Sequence, residues 1–143
     1  MALKTKARIR RTRKGDFKGI EALLKEARVP FANLNAGTFA RFYERDKGFC
    51  FVAVKGNRVV GNVFGSFNGV SYGYISKLAV ARDSRREGIA TMLLQRLLRE
   101  FKKAKAVWAY AIVDRNNSAS FKALRGAGLK KCRWGVLVEK YPL

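Results

Sequence analysis

The sequence predicts an α/β (α+β) domain, a mixed sheet covered by helices, on three observations. The hydrophobic pattern alternates between strand-like and helix-like periods in the order β-α-α-β-β-β-α-β-α-β. Residues 49–80 hold consecutive strand-like runs punctuated by Gly56-Asn57-Arg58 and by Asn68-Gly69. From Gly88 to Lys103 the residues Ile89, Leu93, Leu94, Leu97, Leu98 and Phe101 form one apolar stripe. The 143 residues show no repeat, low-complexity linker or composition break, so residues 1–143 are expected to form a single domain. The basic segment 1–7 is expected to be disordered.

Taken in order, Arg8-Ile9-Arg10-Arg11-Thr12 reads as a short first strand. Asp16 is placed to N-cap a helix that carries Phe17, Ile20, Leu23, Leu24 and Ala27 on one face, and Arg28-Val29-Pro30 ends it. A second helix is expected from Thr38 to about Asp46. Phe49–Lys55 and Val59–Phe67 read as strands. Asn68-Gly69, the preferred dipeptide of a two-residue type I′ turn, leads into a third strand, Val70–Val80. After the Gly88–Lys103 helix come a continuous apolar strand, Ala106–Val113, a short helix, Asn117–Gly126, and one or two strands within Leu129–Tyr141. Trp108 and Trp134 are expected to pack in the core or on a sheet face.

Composition narrows the chemistry. The chain has no histidine, and Cys50 and Cys132 lack metal-ligand spacing, which removes histidine-based triads and most zinc sites; no metal is expected. No apolar run approaches the roughly 20 residues that span a bilayer, so no membrane partner is expected. Two cysteines placed in apolar or strand-like segments and the lack of a signal-peptide pattern suggest a reduced, cytoplasmic protein. Charge is the outlier: 31 Lys+Arg against 10 Asp+Glu give +21. Lys4, Lys6, Arg8, Arg10, Arg11, Arg13 and Lys14 fall in one acid-free run, and a second spans Arg115 to Arg133. An excess of this size favours a phosphate-rich ligand, an acidic protein or nucleic acid.

The chemistry concentrates where a strand meets a helix, at Arg85-x-x-Gly88-x-Ala90. The first turn of a helix offers backbone N–H groups without intrahelical partners, and its dipole adds partial positive charge. Gly88 lets a ligand approach the backbone, Ala90 keeps the approach shallow, and Arg85 and Arg86 supply counter-charge. Such a corner suits a pyrophosphate.

The segment Leu78-Ala79-Val80 through Arg85, Gly88 and Ala90 resembles the first signature of the GCN5-related N-acetyltransferase (GNAT) family, roughly "LAV.p..R..G.G/A..Ll". Asn117 through Gly128-Leu129 resembles its second, "N..A..lY...GF", and the element order fits over roughly residues 7–141. The resemblance implies a mostly antiparallel sheet with two splayed parallel central strands and helices on both faces. It implies acetyl-CoA as co-substrate. The pyrophosphate would lie on Arg85, Arg86, Glu87, Gly88, Ile89, Ala90 and Thr91, and the pantetheine arm in a V between the strands Tyr74–Val80 and Ala106–Val113. Leu78, Ala79 and Val80 would pair with the arm and polarise the acetyl carbonyl; Asn117, Ser120 and Leu124 would close its other side. The implied reaction is direct acetyl transfer to an amine through a tetrahedral intermediate, with CoA thiolate leaving.

Two positions depart from that pattern. Many family members carry a glutamate base where this chain has Ser76, and a tyrosine acid where it has Leu124. Acid–base help is worth about 10²–10⁴-fold, so its loss slows transfer without abolishing it. Ser76 and Tyr110 are the catalytic candidates; Tyr72, Tyr74 and Glu139 are further groups near the same strands. At pH 7 a lysine ε-amine is only about 0.04% neutral, whereas an α-amine of pKa near 7.8 is about 14% neutral. A protein N-terminus would therefore need a base least. The expected function is acetyl-CoA-dependent N-acetylation of an amine on an acidic or RNA-associated macromolecule, with a homodimer among the expected assemblies. The competing reading is a catalytically reduced scaffold that binds nucleic acid or an acidic protein through its basic faces.

Overall fold

The structure, a computed structural model, describes residues 6–29 and 34–132. Its sheet has the order β1 (Arg8–Arg11), β2 (Cys50–Lys55), β3 (Arg58–Phe67), β4 (Tyr72–Val80) and β5 (Trp108–Ala111). The first four strands pair antiparallel, and β5 joins β4 in parallel. The helices are α1 (Phe17–Glu26), α2 (Ala36–Asp46), α3 (Ile89–Lys103) and α4 (Ser118–Gly126).

Helices cover both faces, and side-chain size decides how closely. On one face α2 packs on β3 through Phe39 and Phe42 against Phe64, with ring centroids 6.3 and 4.8 Å apart, and Phe17 of α1 meets Phe39 at 5.3 Å. On the other face α3 lies almost against the backbone. A methyl group at Gly65 would stand 2.5 Å from Leu97, and one at Gly73 would stand 2.5 Å from Phe101. These absent side chains let Leu93, Leu94, Leu97 and Phe101, all 2% exposed or less, seat against β3 and β4. The apolar stripe read from Gly88 to Lys103 is this buried seam.

Several local expectations change. Asp16 lies in a short 3₁₀ turn and makes no cap for α1; its carboxylate is taken by Arg10, at 2.8 and 3.0 Å, and by the Arg13 N–H at 2.7 Å. The second helix starts at Ala36 rather than Thr38, because the Asn35 side chain accepts from the Thr38 N–H at 2.8 Å. Asn68-Gly69 is not a two-residue turn. The Asn68 carboxamide oxygen accepts from the N–H groups of Val70, Ser71 and Tyr72, which holds a four-residue loop and delays β4 to Tyr72. The strand read as Ala106–Val113 contracts to Trp108–Ala111. Trp108 lies on a sheet face but is 55% exposed, meeting Tyr72 edge-on at 5.2 Å. Residues 129–132 are not in a strand, and Cys132 is exposed. The rest of the expected final strands, with Trp134 and Glu139, lies outside the described residues, as does Lys4.

Candidate functional site

The site grows out of a defect in the sheet. Residues Tyr72, Gly73, Tyr74 and Ile75 pair with Trp108, Ala109, Tyr110 and Ala111, and there the β4–β5 pairing ends. Beyond Ile75, β4 runs on to Val80 against β3 alone. The two parallel strands therefore part at the level where Ser76 begins.

A second irregularity falls just inside the opening. In the β3–β4 ladder Phe64 pairs with Ser76 and Asn62 with Ala79, so Lys77 and Leu78 together oppose Val63. This is a β-bulge, and its first residue, Lys77, takes φ +55°. A left-handed conformation at this position ordinarily belongs to glycine. Lys77 is half-buried, and burial pushes its ammonium below the usual lysine range. The bulge re-aims the backbone from Lys77 to Val80 at the mouth of the split.

Past Val80 the chain turns through a 3₁₀ segment, Arg82–Ser84, before α3. Arg86 at φ +64° and Gly88 at φ +78° curl the loop so that successive amides can face one concavity. Nothing lies within 4 Å of the place a Cβ on Gly88 would occupy, so the corner is not filled by its own side chains. Arg85 and Arg86 are exposed, and the Arg85 Nε–H donates to the Val80 carbonyl at 3.3 Å, folding its guanidinium back over the end of β4. Glu87 is held away from the concavity's cations by Lys55, at 2.8 Å. Ile89 is buried and offers only its backbone; Ala90 and Thr91 are half-buried on the first turn. The corner offers what a diphosphate would need: an open backbone cradle, a helix start and two exposed arginines.

The remaining residues singled out from sequence separate into two groups. Ser76 lies at the mouth of the split and is half-buried, while Tyr110 sits two positions below it, opposite Tyr74, the two rings 5.1 Å apart. Burial, with Tyr110 beside it, pushes the Tyr74 phenol above its usual range. Leu78 and Val80 are partly exposed and Ala79 is buried. Asn117 caps α4 by accepting from the Ser120 N–H at 3.1 Å, and Leu124 is 6% exposed in the core. A cleft of about 1280 Å³ runs between β5 and α4, lined by Tyr110, Ile112, Phe121 and Leu124 and edged by Arg115 and Arg125. Among the described residues no group of three or more His, Cys, Asp or Glu could hold a metal ion.

Two polar residues near the site escaped the sequence reading. Asn62 is fully buried in β3, where Val60-Gly61-Asn62-Val63-Phe64 reads as a uniform apolar run interrupted once; that interruption was the available signal. Asp46, at the end of α2, is 4% exposed and accepts from the Ser66 hydroxyl at 3.2 Å. Ser66 pairs with Tyr74, so this carboxyl lies on the face that carries Ser76. Burial raises its affinity for a proton, outweighing Arg45 and Ser66.

The comparisons agree with this geometry. The sequence matches the Acetyltransferase (GNAT) family over residues 19–128, and the chain belongs to that family, whose acetyl donor is acetyl-CoA. No curated protein matches it by sequence. Among solved structures it is similar to Ard1 from Thermoplasma volcanium, with 18% identity over 87% of this chain and 82% of that one and a TM-score of 0.73. It is similar to the aminoglycoside N-acetyltransferase AAC(6')-Iy in complex with CoA, with 16% identity over 94% and 95% of the chains and a TM-score of 0.74. It is also similar to yncA from Salmonella typhimurium, solved with its cofactor acetyl-CoA, with 20% identity over 87% and 79% and a TM-score of 0.72. At these identities the likenesses establish the fold.

Proposed function

We propose that the protein is an N-acetyltransferase that binds acetyl-CoA across the corner and the split and passes the acetyl group to an amine. The observation that carries this reading is the coincidence of three features: β4–β5 pairing that stops at Ile75–Ala111, a bulge at Lys77-Leu78, and an open Arg86–Gly88 corner on the same chain segment. The diphosphate would lie on the amides of residues 85–91 with Arg85 and Arg86 as counter-charges. The arm would run into the split, and a backbone N–H near Leu78 would meet the acetyl oxygen. The amine nitrogen bonds to the acetyl carbon, the carbon–sulfur bond breaks, and CoA leaves as thiolate. A fixed amide at the developing oxyanion supplies the electrostatic stabilisation, and holding both reactants supplies the entropic part.

With Ser76 in place of a carboxylate, the acceptor is best supplied already neutral. That favours a protein α-amine over a lysine side chain. Competing assays on one peptide with a free N-terminus and an internal lysine test this; preferential lysine acetylation would contradict it.

The cations support a macromolecular acceptor carrying negative charge. Arg115, Arg125, Lys130 and Lys131 line the β5–α4 cleft beside Trp108 and Tyr110, a mixture of cations and exposed rings that suits single-stranded nucleic acid. The second reading, a binding module without transferase activity, draws on the same surface.

Thermal-shift titration with acetyl-CoA separates the two. The parent is expected to gain stability with ligand. Gly88→Glu, which adds bulk and negative charge at a φ only glycine adopts easily, is expected to lose that gain. No shift in the parent, together with nucleic-acid affinity that falls steeply with salt, would favour the module.

A further inference from the structure

We infer that Asn62 is a positioning residue that locks the β4 bulge and so aims the backbone amide at the acetyl oxygen. This rests on the proposed acetyl-CoA reading and adds to it a residue outside both signature segments.

Asn62 is 0% exposed in the middle of β3, yet its carboxamide is only half used. Its Nδ2 donates to the Lys77 carbonyl at 2.9 Å, while its Oδ1 is buried with no hydrogen-bond partner. The amide's orientation is fixed by chemistry, because a carbonyl can face only the nitrogen end. A buried acceptor without a partner weakens the fold, and a leucine of similar size would avoid that loss. The residue's value therefore has to be sought in the bond it does make.

That bond falls on the one residue where β4 needs holding. Lys77 takes φ +55° without being glycine, at the first position of the bulge. On one side the ladder is interrupted, since two residues oppose Val63; on the other, β5 has already diverged after Ile75–Ala111. The peptide between Lys77 and Leu78 would otherwise be free to rotate towards ordinary strand geometry. Asn62 grips its carbonyl oxygen. Because carbonyl and amide of one peptide plane point in opposite directions, fixing the Lys77 oxygen towards Asn62 fixes the Leu78 N–H away from it. An oxyanion donor is effective only when held in place before the reaction.

The test reads the acetyl carbonyl itself. Bind ¹³C-carbonyl acetyl-CoA to the parent, to Asn62→Leu and to Asn62→Leu/Lys77→Gly, and record the carbonyl stretch by isotope-edited infrared spectroscopy, with affinity from calorimetry. In the parent the band should fall below its position in free acetyl-CoA. In Asn62→Leu affinity should stay within about threefold, since the corner contacts are intact, while the band returns to the free position. Transfer should slow by about 10–100-fold, a part of what losing an oxyanion donor outright costs. Glycine at 77 adopts the left-handed conformation without strain, so the double variant should recover most of the band shift. Lys77→Gly alone controls for the lost amine. Should Asn62→Leu not fold, Asn62→Ala carries the same expectations. A band unchanged by either Asn62 variant, or unshifted in a parent that binds acetyl-CoA, overturns the inference and leaves the binding reading standing. A parent that binds no acetyl-CoA overturns both.

Discussion

The two flanks of β4 behave differently along their length. Against β3 it is paired from Gly73 to Val80, with a glycine-lined face on which α3 lies at contact distance. Against β5 it is paired for four residues and then abandoned, and the face there carries Tyr72, Trp108 and Tyr110, all at least 39% exposed. The contrast shows how this sheet combines rigidity with access. The α3 flank fixes where the Gly88 corner stands; the β5 flank leaves a gap beside it. A sheet paired equally on both flanks would leave no such gap.

The largest expected effect comes from loosening the closed flank. Leu97 is 0% exposed and packs over Gly65, so Leu97→Ala should cost about 2–5 kcal/mol in denaturant unfolding. A cost under about 1 kcal/mol would mean that α3 is not seated as described. At the corner, Arg86→Gly removes a cation and also relieves a left-handed residue. Acetyl-CoA affinity should fall about 10-fold, for the loss of a charge-assisted bond, with little change in stability. Unchanged affinity would move the diphosphate elsewhere.

A smaller effect is expected at the far end of α3. Burial alone would raise the Glu100 carboxyl, but Arg11, Lys103 and Arg96 together outweigh it and hold it below the usual range. A depressed carboxyl contributes stability above its unfolded-state value near 4.3 and loses it as pH falls through the lower folded-state value. Glu100→Gln should therefore lower Tm by a few degrees at pH 7, with the deficit shrinking as the acid is protonated. A pH-independent deficit would assign Glu100 a packing role instead. The smallest effect belongs to the open flank: Trp108→Ala, half in solvent, should change stability by less than about 1 kcal/mol. A loss as large as that of Leu97→Ala would erase the contrast between the flanks.

The same contrast governs what could be read from sequence. The closed flank was legible because its causes are periodic: the Ile89–Phe101 stripe, the alternating strands and the Gly88 corner each declare themselves within a few residues. Gly65 and Gly73 did not, since a glycine in a strand signals close approach only once its neighbour is known. The open flank was harder. Asn68-Gly69 has the composition of a tight turn, yet the Asn68 side chain outcompetes that turn by collecting three N–H groups. The split itself followed from the family resemblance, whereas the Lys77 bulge depends on a register between neighbouring strands, with Asn62 and Lys77 15 residues apart, that no local pattern encodes. Asp46 reads as the polar end of a helix, and only the tertiary fold buries it against Ser66.

Hydrogen–deuterium exchange with and without acetyl-CoA tests the central claim most directly, because it reports on the amides said to do the binding. Protection should appear at residues 76–80 and 85–91 and leave the β1–β2 amides unchanged. Binding with protection spread elsewhere, and none at the corner, would contradict the account.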